Sequence, residues 1–447
     1  MQNCRAPIDI LIKGGRLLTL AGAEEIVEAP LIGIRDGRIL FIAAAHDPLT
    51  SLYAPREVID ATGCLIMPGL INTHTHVPMV CFRGLADDLP LMDWLRDHIF
   101  PAEMKYVSRE MVSAGALLGI AEMILSGTTT FCDGYFHAGA IARAALATGM
   151  RCVAGMGILD ADIDRVDDAD VAGHVAAAER YLEKWAEEKP LITPALFCHS
   201  PYTCSPRTIR AIKDVARRHN ALFLIHLSET SEERLIISKR YGTAPVFYLE
   251  ALGVLDAMTV AVHCNWLDGE EIACLAKNQV KVSHNPQSNM KLATGVGPVP
   301  ALLAAGVTVG LGTDGCASNN DHDMFGEMDS AAKLHKVFHN DPRVLSAAAV
   351  VRMATADGAK VLGLEGTTGV IAVGKEADII LVDLGQPHLT PMYNPYSQLV
   401  YAARGADVRT SIIAGKVVMK DRRLRTLDVE AAMDAVEEIA ARIRKDR

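Results

Sequence analysis

At 447 residues, half of them apolar, the chain is long enough for a large core and for two structural units. No uninterrupted apolar run reaches the length of a membrane span, and the N-terminus lacks the basic start and long apolar stretch of a signal peptide. A formal net charge of -10 argues against a nucleic-acid backbone as the main partner and favours a small molecule.

The first sixty or so residues read as short strands joined by tight turns. Ile8 to Leu20 is strand-like around Gly14-Gly15. Leu31 to Ile42 carries Asp36-Gly37 between two apolar runs, a strong hairpin signal. Glu57 to Asp60 adds another strand.

From Met67 to about residue 365, strands and helices alternate. The apolar run into Asn72-Thr73-His74-Thr75-His76 is the first strand. Others are expected at Thr128–Asp133, Cys152–Met156, Ile192–Phe197, Leu222–His226, Val260–His263, Val280–His284 and Val307–Asp314. Helices such as Ser108–Ser126 and Ser205–Asn220 separate them. Eight β-α repeats over about 300 residues predict an α/β fold, a (β/α)8 TIM barrel.

Strand texture returns at Ala377–Asp383 and Ser411–Met419, and the tail from Asp428 to Arg447 is Ala-rich, charged and helical in pattern. Strands at both ends predict one small β-sandwich domain built from the two termini. The expected organisation is an N-terminal β-sandwich segment over 1–66, a metal-dependent barrel over 67–365, a C-terminal β-sandwich segment over 366–425 and a final helix over 426–447. The ten Cys are scattered, several of them inside apolar strands, which predicts reduced thiols and a cytoplasmic protein.

In such barrels the chemistry sits at the C-terminal ends of the strands. Here polar residues end apolar strands repeatedly: His74 and His76, His199, His226, His263 and Asp314. A lone His there is an ordinary residue entering a loop, but five such strand ends in one barrel point to a site. Strand alternation puts His74 and His76 on one side, where two imidazoles can grip a divalent metal. With His226 and Asp314 they form a set of three nitrogens and one oxygen, leaving room for a water. A metal lowers the pKa of bound water from about 15.7 to about 7. Asp314 can accept the proton, His263 can orient the nucleophile, and Glu229, three residues after His226, can relay protons to a substrate. The fourth strand end, Phe197-Cys198-His199, offers no Lys to bridge a second metal, so one metal per subunit is expected, Zn2+ first and Fe2+ as the alternative.

These residues resemble the amidohydrolase superfamily, and more narrowly its methylthioadenosine/S-adenosylhomocysteine deaminase branch with the chlorohydrolase-like relatives. The resemblance spans nearly the whole chain through PGLINTHTHVPM, RGLADDLPLMDWLRDHIFPAE, CHSPYTCS, HLSET, VHCNWLDGEE, SHNPQSNMKLATG and GTDGCASNND. It implies His74, His76, His226 and Asp314 as metal ligands, and Glu229, His263 and Asp314 as the catalytic residues. Glu103, His199, Glu229 and Asp314 would contact substrate, with Glu103 on the ribose hydroxyls. Trp94 is read equally as a pocket wall or as a core aromatic. The implied reaction is deamination of an adenosine-type nucleoside to the inosine analogue and ammonia. The implied assembly is a homodimer or homotetramer with no nucleic-acid or membrane partner.

In the stretch Gly149 to Gly157 the family often carries two Arg; here the first is Arg151 and the second position is Met156. That departure leaves the 5′ substituent open, a carboxylate-bearing tail above all, and is compatible with a less polar thioether or methyl group. Deamination of a free base, or hydrolysis of an s-triazine, uses the same chemistry and stays open. So does a purely structural metal site, which would use all four metal positions for protein ligands. The charged segment Asp160 to Asp170 is expected to face solvent rather than to cover the pocket. His137, His322 and His335 receive no role.

Overall fold

The computed structural model describes residues 5–22, 26–45 and 47–446. Its centre is an eight-stranded, all-parallel sheet: β1 (Leu70–Thr75), β2 (Thr128–Tyr135), β3 (Arg151–Ile158), β4 (Ile192–Cys198), β5 (Phe223–Leu227), β6 (Thr259–His263), β7 (Lys281–His284) and β8 (Val309–Leu311). Each strand pairs with its neighbours in sequence, as a barrel requires. The strands are buried almost throughout, the polar residues of Leu70–Thr75 and Thr128–Tyr135 included, because both of their faces are covered.

The barrel closes between β8 and β1. Asp314 donates its backbone N–H to the carbonyl of His74 (3.0 Å), and the Thr73 hydroxyl donates to the Leu311 carbonyl (2.8 Å). The Asn72 amide group accepts from the Thr313 N–H (3.1 Å) and donates to the Thr313 hydroxyl (2.7 Å). β8 is shorter than the predicted Val307–Asp314 because the chain leaves the ladder at Gly312. A Cβ there would come within 2.8 Å of the His74 backbone, so only glycine permits this approach.

Both termini build the second unit. A four-stranded sheet is ordered Arg38–Ala44, Pro30–Arg35, Ala6–Lys13, Tyr53–Asp60. The expected turn is present: Asp36 and Gly37 have φ of 51° and 77°, a pair of left-handed residues that matches strand twist. A seven-stranded sheet interleaves the termini, with Cys64–Pro68 antiparallel to Ile379–Asp383. Cys64–Pro68 runs across residue 66, where the sequence pattern ends the N-terminal β-sandwich segment, and β1 follows at Leu70. Ile10, Ile12, Ile32, Ile66, Leu381 and Ile412 share one buried cluster in this unit. The C-terminal helix, Val429–Lys445, buries Ala432, Val436, Ile439 and Ile443, the spacing of one helical face.

Arg151 joins the two units. It starts β3, at the barrel end opposite the strand ends that carry the histidines, and is 1% exposed. Its guanidinium donates to both carboxylate oxygens of Asp378 (2.9 and 3.0 Å), to Glu376 (2.7 Å) and to the Pro190 carbonyl (2.7 Å). Its role is therefore in the joint, not in the pocket.

Candidate active site

Three strand ends and the β1 loop converge. The Nε2 atoms of His74 and His76 each lie 3.4 Å from Asp314 Oδ1, and His226 Nε2 lies 3.3 Å from His74 Nε2. All four ligand atoms fall within 4.8 Å of one another. His74 and His226 are buried, and burial pushes the His74 imidazole down to about 4 and that of His226 well below its ordinary value. Asp314 is held well below the usual carboxylate range by its His neighbours, against the opposing effect of burial.

The set is thus three neutral imidazoles and one carboxylate turned toward a common point. His76 Nδ1 sits 2.7 Å from the Gly134 carbonyl, which fixes its N–H there and leaves the Nε2 lone pair on the inner side. Imidazole nitrogens facing each other at 3.3 Å cannot both keep lone pairs unshared without repulsion. One divalent cation is the group this donor set fits.

The chain is bent to deliver these side chains. Ser228, His263 and Asp314, at or just after the ends of β5, β6 and β8, hold positive φ of 50°, 72° and 60°. Outside glycine each such conformation costs roughly 1–3 kcal/mol and persists where surrounding contacts enforce it. Those contacts are present. The Ser288 and Ser318 hydroxyls donate to Asp314 Oδ2 (2.7 and 2.8 Å), leaving Oδ1 for the imidazoles. The Glu233 carboxylate accepts from the N–H groups of Ser228 (2.8 Å) and Glu229 (2.9 Å). His263 Nδ1 lies 3.0 Å from Asn289 Oδ1, whose amide nitrogen donates to Asn265, so His263 presents a bare Nε2.

Glu229 stands beside this cluster, its Oε1 3.8 Å from His263 Nε2. Burial, with the charge of Asp314 adding to it, pushes Glu229 up to about 8. A cavity opens over these groups and is walled by Trp94, Phe197, His199 and Leu292. Trp94 lines the cavity, is 4% exposed and donates its indole N–H to the Ala86 carbonyl (3.1 Å). His199 Nδ1 is 2.9 Å from the Thr203 hydroxyl, and burial drives His199 down to about 3.

A second, wider cavity adjoins the first, with Glu103, Phe100 and Tyr202 lining both. Met156, Ile163 and Tyr181 line its walls. The Asp160–Asp170 segment divides here. Asp160 is buried, its carboxylate accepting from Ser205 N–H (2.6 Å) and the Thr208 hydroxyl (3.0 Å), and residues 160–163 line the wider cavity. Residues 164, 165 and 167–170 are exposed, as expected for a solvent face.

Of the unassigned histidines, His322 is buried near the barrel seam, 3.2 Å from the Thr313 hydroxyl, and His335 packs on His284 with their Nε2 atoms 3.2 Å apart. His137 is exposed at the rim of the wider cavity. Sequence reasoning misses Ser288, Ser318, Asn289 and Tyr135. Tyr135 carries the signal used for the histidines, a polar residue ending a barrel strand, but the sequence pattern ends β2 at Asp133.

A parallel barrel with three imidazoles and one carboxylate under a largely apolar cavity defines a metal-dependent barrel hydrolase. Residues 65–418 match the model of the amidohydrolase family, and the chain belongs to that family. It is 47% identical over 444 residues to a 5-methylthioadenosine/S-adenosylhomocysteine deaminase of Syntrophobacter fumaroxidans, covering 99% of this chain and 100% of the relative. It is 45% identical over 430 residues to a 5'-deoxyadenosine deaminase of Methanothermobacter thermautotrophicus, covering 95% and 98%. An adenosine deaminase from Xanthomonas campestris, solved with bound zinc, superposes with a TM-score of 0.94 at 36% identity, covering 99% of this chain and 100% of that one. No helix among the described residues is long and apolar enough to cross a membrane.

Proposed function

We propose that the protein deaminates adenosine-type nucleosides hydrolytically, giving the inosine analogue and ammonia. The observation that carries this reading is the disposition of three acidic groups along one cavity: Asp314 at the imidazole cluster, Glu229 beside it and Glu103 at the far wall. The names of the most similar relatives support the same chemistry.

In this reading His74, His76, His226 and Asp314 hold one zinc ion, with ferrous iron as the alternative. When bound, such an ion acidifies water at neutral pH. Glu229, protonated at neutral pH, gives its proton to the ring nitrogen next to the amino-bearing carbon, which makes the ring an electron sink. Asp314 accepts the proton of the attacking water and passes it to the leaving ammonia. His263 stabilises the developing negative charge through Nε2 once that atom carries a proton. Glu103 accepts from the two ribose hydroxyls, His199 contacts substrate, and Trp94 closes the apolar wall.

The wider cavity begins at Glu103 and supports a place for the 5′ substituent. Its wall carries Met156, Ile163 and Tyr181, and the acids Asp160 and Asp162, but no Lys or Arg among the described residues. An uncharged group fits that lining better than a free carboxylate. A homodimer or homotetramer and a cytoplasmic location complete the reading; the nine described Cys are all buried and unpaired.

The test is loss of adenine absorbance with metal-replete protein on adenosine, 5′-deoxyadenosine, methylthioadenosine, S-adenosylhomocysteine and adenine, and release of chloride from a chlorinated triazine. Nucleosides are expected to turn over, the uncharged 5′ groups fastest. Silence on every nucleoside beside turnover of adenine or the triazine refutes the reading. Glu103→Ala should lower kcat/KM for nucleosides about a hundredfold or more, the scale of two hydrogen bonds to a charged group, and spare the free base. Equal losses on both would remove Glu103 from the sugar site. Chelation should abolish turnover before the far-UV circular dichroism changes, with activity restored by zinc or ferrous ion; simultaneous unfolding would mark a structural metal.

A further inference from the structure

We propose that Tyr135 is a positioning residue for the sugar: its hydroxyl holds the Glu103 carboxylate turned toward the two vicinal hydroxyls of the nucleoside. The inference rests on the nucleoside reading above and adds a residue to it.

Glu103 comes from the short helix Phe100–Tyr106, outside the barrel, and Tyr135 is the last residue of β2. The Tyr135 hydroxyl donates to Glu103 Oε1 at 2.6 Å, a short bond of the charge-assisted kind. Among the described residues neither side chain makes another hydrogen bond. Tyr135 is 5% exposed, and its ring lies 6.0 Å from that of His76, centroid to centroid. The phenol therefore ties a side chain from a peripheral helix to a rigid strand end beside the imidazole cluster. An ionised carboxylate offers about four acceptor sites; one hydrogen bond on Oε1 leaves enough for a diol to donate to both oxygens.

The same contact acts on charge. Burial raises Glu103 and the Tyr135 hydrogen bond opposes that rise, the two together leaving the carboxyl at about 7. No Lys or Arg lines either cavity among the described residues to do so instead. The other titratable groups lining the two cavities are His76, His199, Tyr202, His226, Glu229, His263 and Asp314 on the inner side and His137, Asp160, Asp162 and Tyr181 on the outer. Burial and the neighbouring Glu103 raise the Tyr135 phenol well above its ordinary value, so it stays a donor.

The experiment compares wild type, Tyr135→Phe, Glu103→Gln and the double variant, measuring kcat and KM from about pH 6 to about pH 9. The substrates are adenosine and 2′,3′-dideoxyadenosine, which lacks both hydroxyls. Tyr135→Phe removes one oxygen and keeps the ring. It is expected to raise KM for adenosine about tenfold at neutral pH, the scale of one hydrogen bond to a charged group, with kcat within about twofold. Without the phenol Glu103 stays protonated to higher pH, so the penalty shrinks as pH rises. KM for the dideoxy substrate should not respond. Glu103→Gln should flatten the pH profile of KM, and adding Tyr135→Phe should leave it flat. A KM penalty equal at every pH and for both substrates, or no penalty, overturns the proposal. If Glu103→Gln impairs adenosine selectively while Tyr135→Phe does not, only Tyr135 is wrongly assigned. If Glu103→Gln leaves adenosine untouched, the sugar site of the proposed function falls as well.

Discussion

Glu229→Gln is expected to keep the bound metal and lose turnover by about a thousandfold or more, toward the upper end of what a positioned proton donor contributes. The amide has the shape of the carboxyl and can still donate a hydrogen bond, but it cannot give up and regain a proton. The four groups that would hold the ion do not include Glu229, whose Oε1 is 3.8 Å from His263 Nε2. The loop should survive, because it is pinned through backbone N–H groups by Glu233 and through the Glu229 carbonyl by the Asn265 amide (3.1 Å). Metal content by elemental analysis and kcat on 5′-deoxyadenosine are the two readings. More than about a tenth of wild-type turnover, with metal retained, would strip Glu229 of the proton-transfer role.

Arg151→Ala should be the most damaging single change to stability away from the pocket. It leaves Asp378, which is fully buried, and Glu376, 5% exposed, without the guanidinium that pairs them. Removing one partner of a buried ion pair costs about 3–5 kcal/mol, because the remaining charge is left desolvated. Asp378 keeps the Ala414 N–H (2.7 Å) and Glu376 keeps Arg38 (3.3 Å), so some of the network persists. The expected result is a melting temperature several degrees lower, with a share of the loss recovered when Asp378→Asn and Glu376→Gln are added to neutralise the stranded carboxylates. Melting of Arg151→Ala within about one degree of wild type would show that the joint carries no such weight. Because Arg151 lies at the opposite end of β3 from the cavity, KM for nucleosides should be unchanged in whatever fraction stays folded.

Much of this molecule is legible before folding, and for local reasons. Strand alternation and apolar runs are written in neighbouring residues, so the eight barrel strands, the Asp36-Gly37 turn and the C-terminal helix can be placed. Barrel geometry then collects the strand ends, which is why His74, His76, His226, His263 and Asp314 can be grouped although they are spread over more than half of the chain. The fine boundaries are less accessible. β8 is cut short at Gly312 by the close approach of the His74 backbone, and β2 runs on to Tyr135, and neither event leaves a mark on local periodicity.

Residue type and short-range spacing are enough to place the barrel strands and to group the candidate His and Asp donors with Glu229, whereas Glu103 enters only through the family resemblance. The tertiary structure alone decided how those groups are held. Tyr135 reaches Glu103 across 32 residues, Ser288 reaches Asp314 across 26, and Arg151 reaches Asp378 across 227. Hydrogen bonds of that kind require two loops to meet at about 3 Å, a condition set by packing of the whole chain and not by any stretch of it. The same reason explains the divided Asp160–Asp170 segment. Its charges look alike in sequence, and the position of Ser205, Thr208 and His174 around it turns Asp160 inward while its neighbours stay in water.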